Sequence, residues 1–208
     1  MGLKKRYIFL LGRPGCGKSA VYNRITKRLK EEGLAKEFMR VDDFPKLWKL
    51  FQEDVERKRS KRTPDGGYKV TDDTVWDDLL KELNEDIKKL EKEDRVVFVE
   101  FSRNDYKRAF KNFDKEILDK AVAIYIDVPF DICWERNVKR HQKAIAEGTD
   151  DHLVSREEME KTYKYDDGLE FAKNAPLPVE IIDNSKEGDE FLNQQVERII
   201  QILKEKYS

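Results

Sequence analysis

Apolar residues gather in five short, nearly unbroken runs: Tyr7–Leu11, Glu37–Val41, Val96–Phe101, Val122–Asp127 and Val179–Asp183. Continuous runs of this length predict strands buried on both faces. Between them the apolar spacing changes to three and four. Val21, Ile25 and Leu29 share one helical face, and Leu47, Phe51 and Val55 another. Val75, Leu79, Leu83, Ile87 and Leu90 form a longer stripe, with Thr71 placed to cap it and two Asp in its first turn. Ser155 and Glu158 have the spacing of a capping box. Phe191, Val196, Ile199, Ile200 and Leu203 make the last helix amphipathic. Strands alternating with helices predict an α/β domain, a mostly parallel sheet with helices on both sides.

Two segments interrupt the alternation. Residues 43–92 separate the second and third runs; they hold two helical patterns joined by a loop rich in Arg, Lys and Gly, Arg57 to Lys69. Residues 136–170 separate the fourth and fifth runs, are charged, and include Gly148 and Gly168. There is no internal repeat, low-complexity tract or interdomain linker, and 208 residues suit one domain, 1–208.

The first run leads directly into Gly12-Arg13-Pro14-Gly15-Cys16-Gly17-Lys18-Ser19, then Ala20 and a helical pattern. This is G-x-x-x-x-G-K-[ST] in the strand–loop–helix setting where the pattern has a mechanism. A helix N-terminus leaves backbone N–H groups unpaired, carries roughly half a positive charge, and so receives phosphate. The glycines let the loop curl tightly. Lys18 would reach the β- and γ-phosphates, and Ser19 would offer its hydroxyl to Mg²⁺.

Charge narrows the partners. Charged residues make up 41% of the chain, yet the net charge is −1, so no global field favours nucleic acid or an anionic membrane. No apolar run approaches the ~20 residues that cross a bilayer, and the five-residue run after the basic start is too short for a signal peptide. Two cysteines, Cys16 and Cys133, offer neither a disulfide framework nor zinc spacing, which fits a reducing cytoplasm.

The phosphate loop, the helical insert after the second strand, an Arg-rich segment after the fourth and Asp183-Asn184 after the fifth resemble the nucleoside/nucleotide-kinase group of P-loop kinases, which includes adenylate, shikimate and gluconate kinases. The resemblance implies a three-layer α/β/α P-loop NTPase fold with five parallel strands in the order 2-3-1-4-5. It implies ATP and Mg²⁺, an acceptor-binding insert at 43–92 and a lid at 136–170. Transfer in such a site is mostly positioning and charge neutralisation. Asp42 and Asp43, at the carboxyl end of the second strand, would bind the acceptor or take its proton, though Asp43 also suits the N-cap of the next helix. Glu100 would orient water on Mg²⁺ or position the acceptor. Arg103 would grip an acceptor phosphate or the γ-phosphate, or simply pair with Glu100. Arg136 and Arg140, four apart on one helix face, would neutralise the transferring phosphoryl group. Asp183 and Asn184 would lie beside the adenine through backbone contacts, or form an ordinary turn.

Other signals are weaker. The basic run Arg57–Arg62 suits a solvated loop, an acceptor phosphate or a polynucleotide end. Trp48, Phe51, Tyr68 and Trp76 suit a core or a stacking surface. His141 and His152 lack metal-ligand spacing. Cys16 sits where its amide matters more than its sulfur, or where a helix N-terminus would lower its pKa and let thiol reagents inactivate the protein by obstruction. The residues together predict a Mg²⁺/ATP-dependent kinase of a small-molecule acceptor, monomeric or homodimeric. A P-loop ATPase or nucleotide-binding regulator acting on a macromolecule, and a polynucleotide-end kinase, are the rivals.

Overall fold

The computed structural model describes residues 2–64, 68–148 and 154–208. His152 lies outside them. In chain order the elements are β1 (Tyr7–Leu11), α1 (Lys18–Glu31), β2 (Glu37–Asp42), α2 (Phe44–Glu53), β3 (Ser60–Arg62), β4 (Tyr68–Val70), α3 (Thr74–Lys88) and β5 (Arg95–Phe101). Then come α4 (Tyr106–Ala109), α5 (Lys115–Asp119), β6 (Ala121–Asp127), α6 (Phe130–Glu147), α7 (Arg156–Glu158), α8 (Gly168–Asn174), β7 (Val179–Asp183) and α9 (Asp189–Tyr207). A π-helical turn, Met159–Tyr163, continues α7.

Each of the five apolar runs becomes a parallel strand, and the sheet order is β2-β5-β1-β6-β7. Counted over those five strands alone, this is the expected order 2-3-1-4-5. The alternating pleat divides β1 between two cores. Ile8 and Leu10 face a layer built with α1 and α9, where Val21, Ile25, Leu29, Val196 and Ile200 are buried. Tyr7, Phe9 and Leu11 face a second layer, with Leu83 and Ile87 of α3 and the aromatic group Tyr106, Phe110 and Phe113. The result is a three-layer α/β/α sandwich, as expected. β2 and β7 depart from full burial because they are the sheet edges. Glu37 and Arg40 of β2 accordingly reach solvent.

The segment between β2 and β5 holds more than two helices and a loop. Arg57 to Lys69 contributes an antiparallel hairpin, β3 with β4, in which Ser60 faces Val70 and Arg62 faces Tyr68. Asp54 organises it: Oδ1 accepts from the Lys58 amide at 3.0 Å, and Oδ2 accepts from the Arg59 amide at 3.0 Å and the Ser60 hydroxyl at 2.8 Å. Val70 of the hairpin joins Phe51, Val75 and Leu79 in a third small core, with Trp48, Tyr68 and Trp76 packed against it. Val55 falls outside that core and is 80% exposed, because α2 has already ended. The cap of α3 also moves. Asp72, not Thr71, supplies the carboxylate that accepts from the Thr74 amide, at 3.0 Å. At α7 half of the capping box forms: Ser155 Oγ accepts from the Glu158 amide at 3.2 Å, while the Glu158 carboxylate accepts from the Thr162 hydroxyl.

Candidate active site

The loop between β1 and α1 is shaped by three glycines in backbone conformations that side chains rarely adopt: Gly12 at φ +136°, Gly15 at +85° and Gly17 at +101°. Space is as restrictive as torsion at Gly15, where a Cβ would stand 2.3 Å from the backbone oxygen of Cys133 in α6. Gly15→Ala should therefore misshape the loop and abolish nucleotide uptake by calorimetry; wild-type uptake would show that the curl is dispensable. No side chain caps the start of α1, so its first amides remain directed at the loop. This cradle fits a phosphate chain.

Lys18 lies across the same loop. Its ammonium donates to Gly12 O at 3.0 Å, Arg13 O at 3.2 Å and Ser102 Oγ at 2.9 Å. Ser102 in turn donates to Gly12 O at 2.6 Å. Tyr106 fixes the other side of the loop, its phenol oxygen accepting from the Gly12 amide at 2.9 Å. Cys16 is fully buried, and burial raises its thiol pKa rather than lowering it. The expected reactive thiol is thus corrected: desolvation of the thiolate outweighs the nearby Lys18 charge.

A cavity of about 690 Å³ opens from this loop. Pro14, Gly15, Gly17, Lys18, Ser19 and Ala20 line it. Asp42, Asp43, Trp76 and Arg103 share the same lining, with Arg136 and Arg140 of α6. Gly12, Arg13, Cys16, Asp183 and Asn184 are absent from that lining. The Arg13 guanidinium points elsewhere. It donates to Tyr163 O at 2.8 Å and Val128 O at 3.0 Å, and pairs with Asp166 at 2.6 Å. Asn184 braces the loop from outside the cavity, donating to Cys16 O at 2.8 Å. Asp183 closes a turn by accepting from the Ser185 amide at 2.8 Å.

The carboxylates at the strand ends differ in their partners. Asp42 and Glu100 stand side by side in the β2–β5 register. Asp42 Oδ1 accepts from the Phe44 amide at 2.9 Å, so Asp42 performs the helix-start role expected of Asp43. Burial nevertheless pushes the Asp42 carboxyl above its ordinary range, helped by the adjacent charges of Asp43 and Glu100. Asp43 instead pairs with Arg103 at 2.6 Å, with both side chains largely buried. Arg103 also lies 4.7 Å from the Trp76 ring centre and donates to Ser102 O at 2.7 Å. Arg103 thus pairs with Asp43 rather than with Glu100. Glu100 pairs with Arg40, Nε to Oε1 at 2.8 Å and Nη2 to Oε2 at 2.9 Å.

Arg40 is the site residue that sequence reasoning missed. A charged residue inside the second apolar run, two positions before Asp42 and so on the same face, was the available signal. On α6, Arg136 donates to Asn184 O at 3.0 Å and Arg140 to Asn137 Oδ1 at 3.1 Å. Part of the basic run is held within the protein. Arg59 pairs with Asp72 and Asp78, Lys58 with Glu56, and Arg57 donates to Phe51 O.

No family model matches the chain, and no curated protein sequence matches it. Solved structures do match. Kti12 of Chaetomium thermophilum, in complex with ADP-AlF3, aligns at TM-score 0.61 and 15% identity over 95% of this chain and 98% of its own. A sugar kinase from a Janibacter species aligns at TM-score 0.58 and 13% identity over 96% and 95%. The APS kinase CysC of Mycobacterium tuberculosis, in complex with AMPPNP and APS, aligns at 0.57 and 16% over 98% and 99%. Likeness at such identities establishes a shared fold, that of the P-loop kinases and their relatives.

Proposed function

We propose that this protein, which has the P-loop kinase fold, transfers the γ-phosphoryl group of ATP to a small acceptor. The observation that carries this reading is the single cavity that joins the glycine-shaped loop to a buried carboxylate–arginine group. A nucleotide triphosphate at the loop would direct its terminal phosphate towards Asp42 and Asp43, with Arg136 and Arg140 in the same wall. The nucleotide-bound neighbours, with AMPPNP and with ADP-AlF3, support the choice of donor.

In this reading the loop amides and Lys18 hold the phosphate chain. Ser19 Oγ and the Glu100 carboxylate are the oxygen donors that would hold Mg²⁺, hard ligands suited to a hard cation. Bound there, the ion would neutralise charge on the transferring phosphoryl group. Asp42 accepts the proton of the acceptor hydroxyl, and its raised pKa makes it a stronger base than an exposed Asp. Arg136 and Arg140 offset the charge that develops in transfer. The aromatic wall of Phe51, Tyr68 and Trp76 gives the acceptor an apolar face. Among the described residues no helix is long and apolar enough to cross a membrane. We place the enzyme in the cytoplasm, as monomer or homodimer.

The test is a metabolite panel with Mg·ATP, read by ADP release and by the mass of the product. One acceptor gaining a phosphoryl group is the expected result. ADP release with no phosphorylated product across the panel would leave a bare ATPase. With the acceptor in hand, Asp42→Asn should lower kcat by about 10²–10⁴-fold, the usual worth of a positioned base. The wild-type rate should fall as pH drops through the raised Asp42 pKa, because protonation removes the base. That acid limb should disappear in the variant; its persistence would assign the limb to another group.

A further inference from the structure

We infer that Arg40 sets the metal requirement of the nucleotide site, because its guanidinium already grips the two groups a divalent cation would use. The inference rests on the nucleotide-site reading above. Nη2 of Arg40 donates to Ser19 Oγ at 2.8 Å and to Glu100 Oε2 at 2.9 Å, and Nε lies 2.8 Å from Glu100 Oε1. Ser19 is the hydroxyl of the phosphate loop, and Glu100 is a carboxylate with a side chain only 5% exposed. A carboxylate this buried needs a cation beside it. Arg40 is that cation, and a metal ion on the same oxygens must take its place.

The placement of Arg40 allows the exchange. It projects from β2, an edge strand, and its side chain is 33% exposed. Its guanidinium lies 5.1 Å from the centre of the Tyr22 ring, a surface that keeps a cation–π contact as the fork turns outward. Two consequences follow from the competition. Metal alone should bind poorly to the wild-type protein, since it displaces the Arg40 ion pair with no phosphate to complete its shell. Metal and nucleotide should bind together, since phosphate supplies the missing ligands and Ser19 is released to them. Arg40 thus acts by position, holding the metal ligands ready and neutral, and it discriminates against metal without nucleotide.

The experiment compares wild type with Arg40→Met in two arms. In the first, Mg²⁺ alone is titrated while the melting temperature is followed. Arg40→Met, whose Glu100 has lost its cation, should be stabilised by Mg²⁺, and the wild type should respond at least about tenfold less sensitively, a difference of about 1.4 kcal/mol. In the second, ADP binding is measured by calorimetry across Mg²⁺ concentrations. The Mg²⁺ needed for half-maximal uptake should fall about tenfold in Arg40→Met. Equal Mg²⁺ dependence in the two proteins, or a greater requirement in the variant, overturns the inference. Should Arg40→Met not fold, Arg40→Lys replaces it. An ammonium on a single stem cannot bridge both partners as a fork does, so an intermediate requirement is expected, and the wild-type value counts against the inference. Absence of ADP uptake in both proteins would remove the nucleotide reading, while the first arm still reports on Arg40.

Discussion

Lys18→Ala should erase the stabilisation that a Mg·ATP analogue gives the wild-type protein. A ligand present at about a hundredfold above its Kd contributes about 2.7 kcal/mol, which for a domain of this size raises Tm by about 5–10 °C. The variant's Tm should stay flat. Lys18 is the ammonium that spans the loop, and its three oxygen partners show how closely the chain folds around it. Loss of the side chain does not leave the loop unsupported, because Ser102 still donates to Gly12 O and Tyr106 still accepts from the Gly12 amide. The unliganded variant should therefore fold, which differential scanning calorimetry without ligand checks. A full nucleotide shift in Lys18→Ala would mean that the triphosphate is held elsewhere.

The second large effect concerns stability. Arg103→Met should lower folding stability by about 3–5 kcal/mol, the cost of stranding one partner of a buried ion pair. In a domain of this size the corresponding fall in Tm is about 6–20 °C. Asp43 would be the stranded group, its side chain 13% exposed and its 2.6 Å partner gone. Adding Asp43→Asn to Arg103→Met should recover most of the loss, because a neutral amide needs no counter-charge. Urea unfolding of the wild type, the two single variants and the double variant measures the coupling directly. Additive losses would show that the pair does not act as a unit. Phosphoryl transfer should stay low in the recovered double variant if the pair also orients the acceptor.

The contrast between sheet and insert explains what was legible in the sequence. Burial on two faces writes an unbroken apolar run, so β1, β5 and β6 announced themselves. The phosphate loop was equally plain, because three positive-φ positions leave little choice but glycine. The β3–β4 hairpin left no such trace. Ser60, Lys61 and Arg62 contain no apolar residue, and their pairing depends on the Asp54 carboxylate and on Val70 reaching a core made by distant helices. Site pairings were hidden for a similar reason. Spacing brought Glu100 and Arg103 together on paper, but strand direction sends Glu100 to Arg40 and Arg103 to Asp43. Cys16 was misjudged because proximity to a helix start was weighed without its complete burial.

Arg13 illustrates a wider consequence. It sits inside the best-recognised motif of the chain, yet its charge is spent on Val128 O, Tyr163 O and Asp166, and Tyr125 holds the same aspartate at 2.6 Å. The side chain is a strap that ties the start of the loop to the chain entering α8. Loosening it offers an engineer a way to tune how freely the loop moves, through a side chain that lies outside the cavity lining.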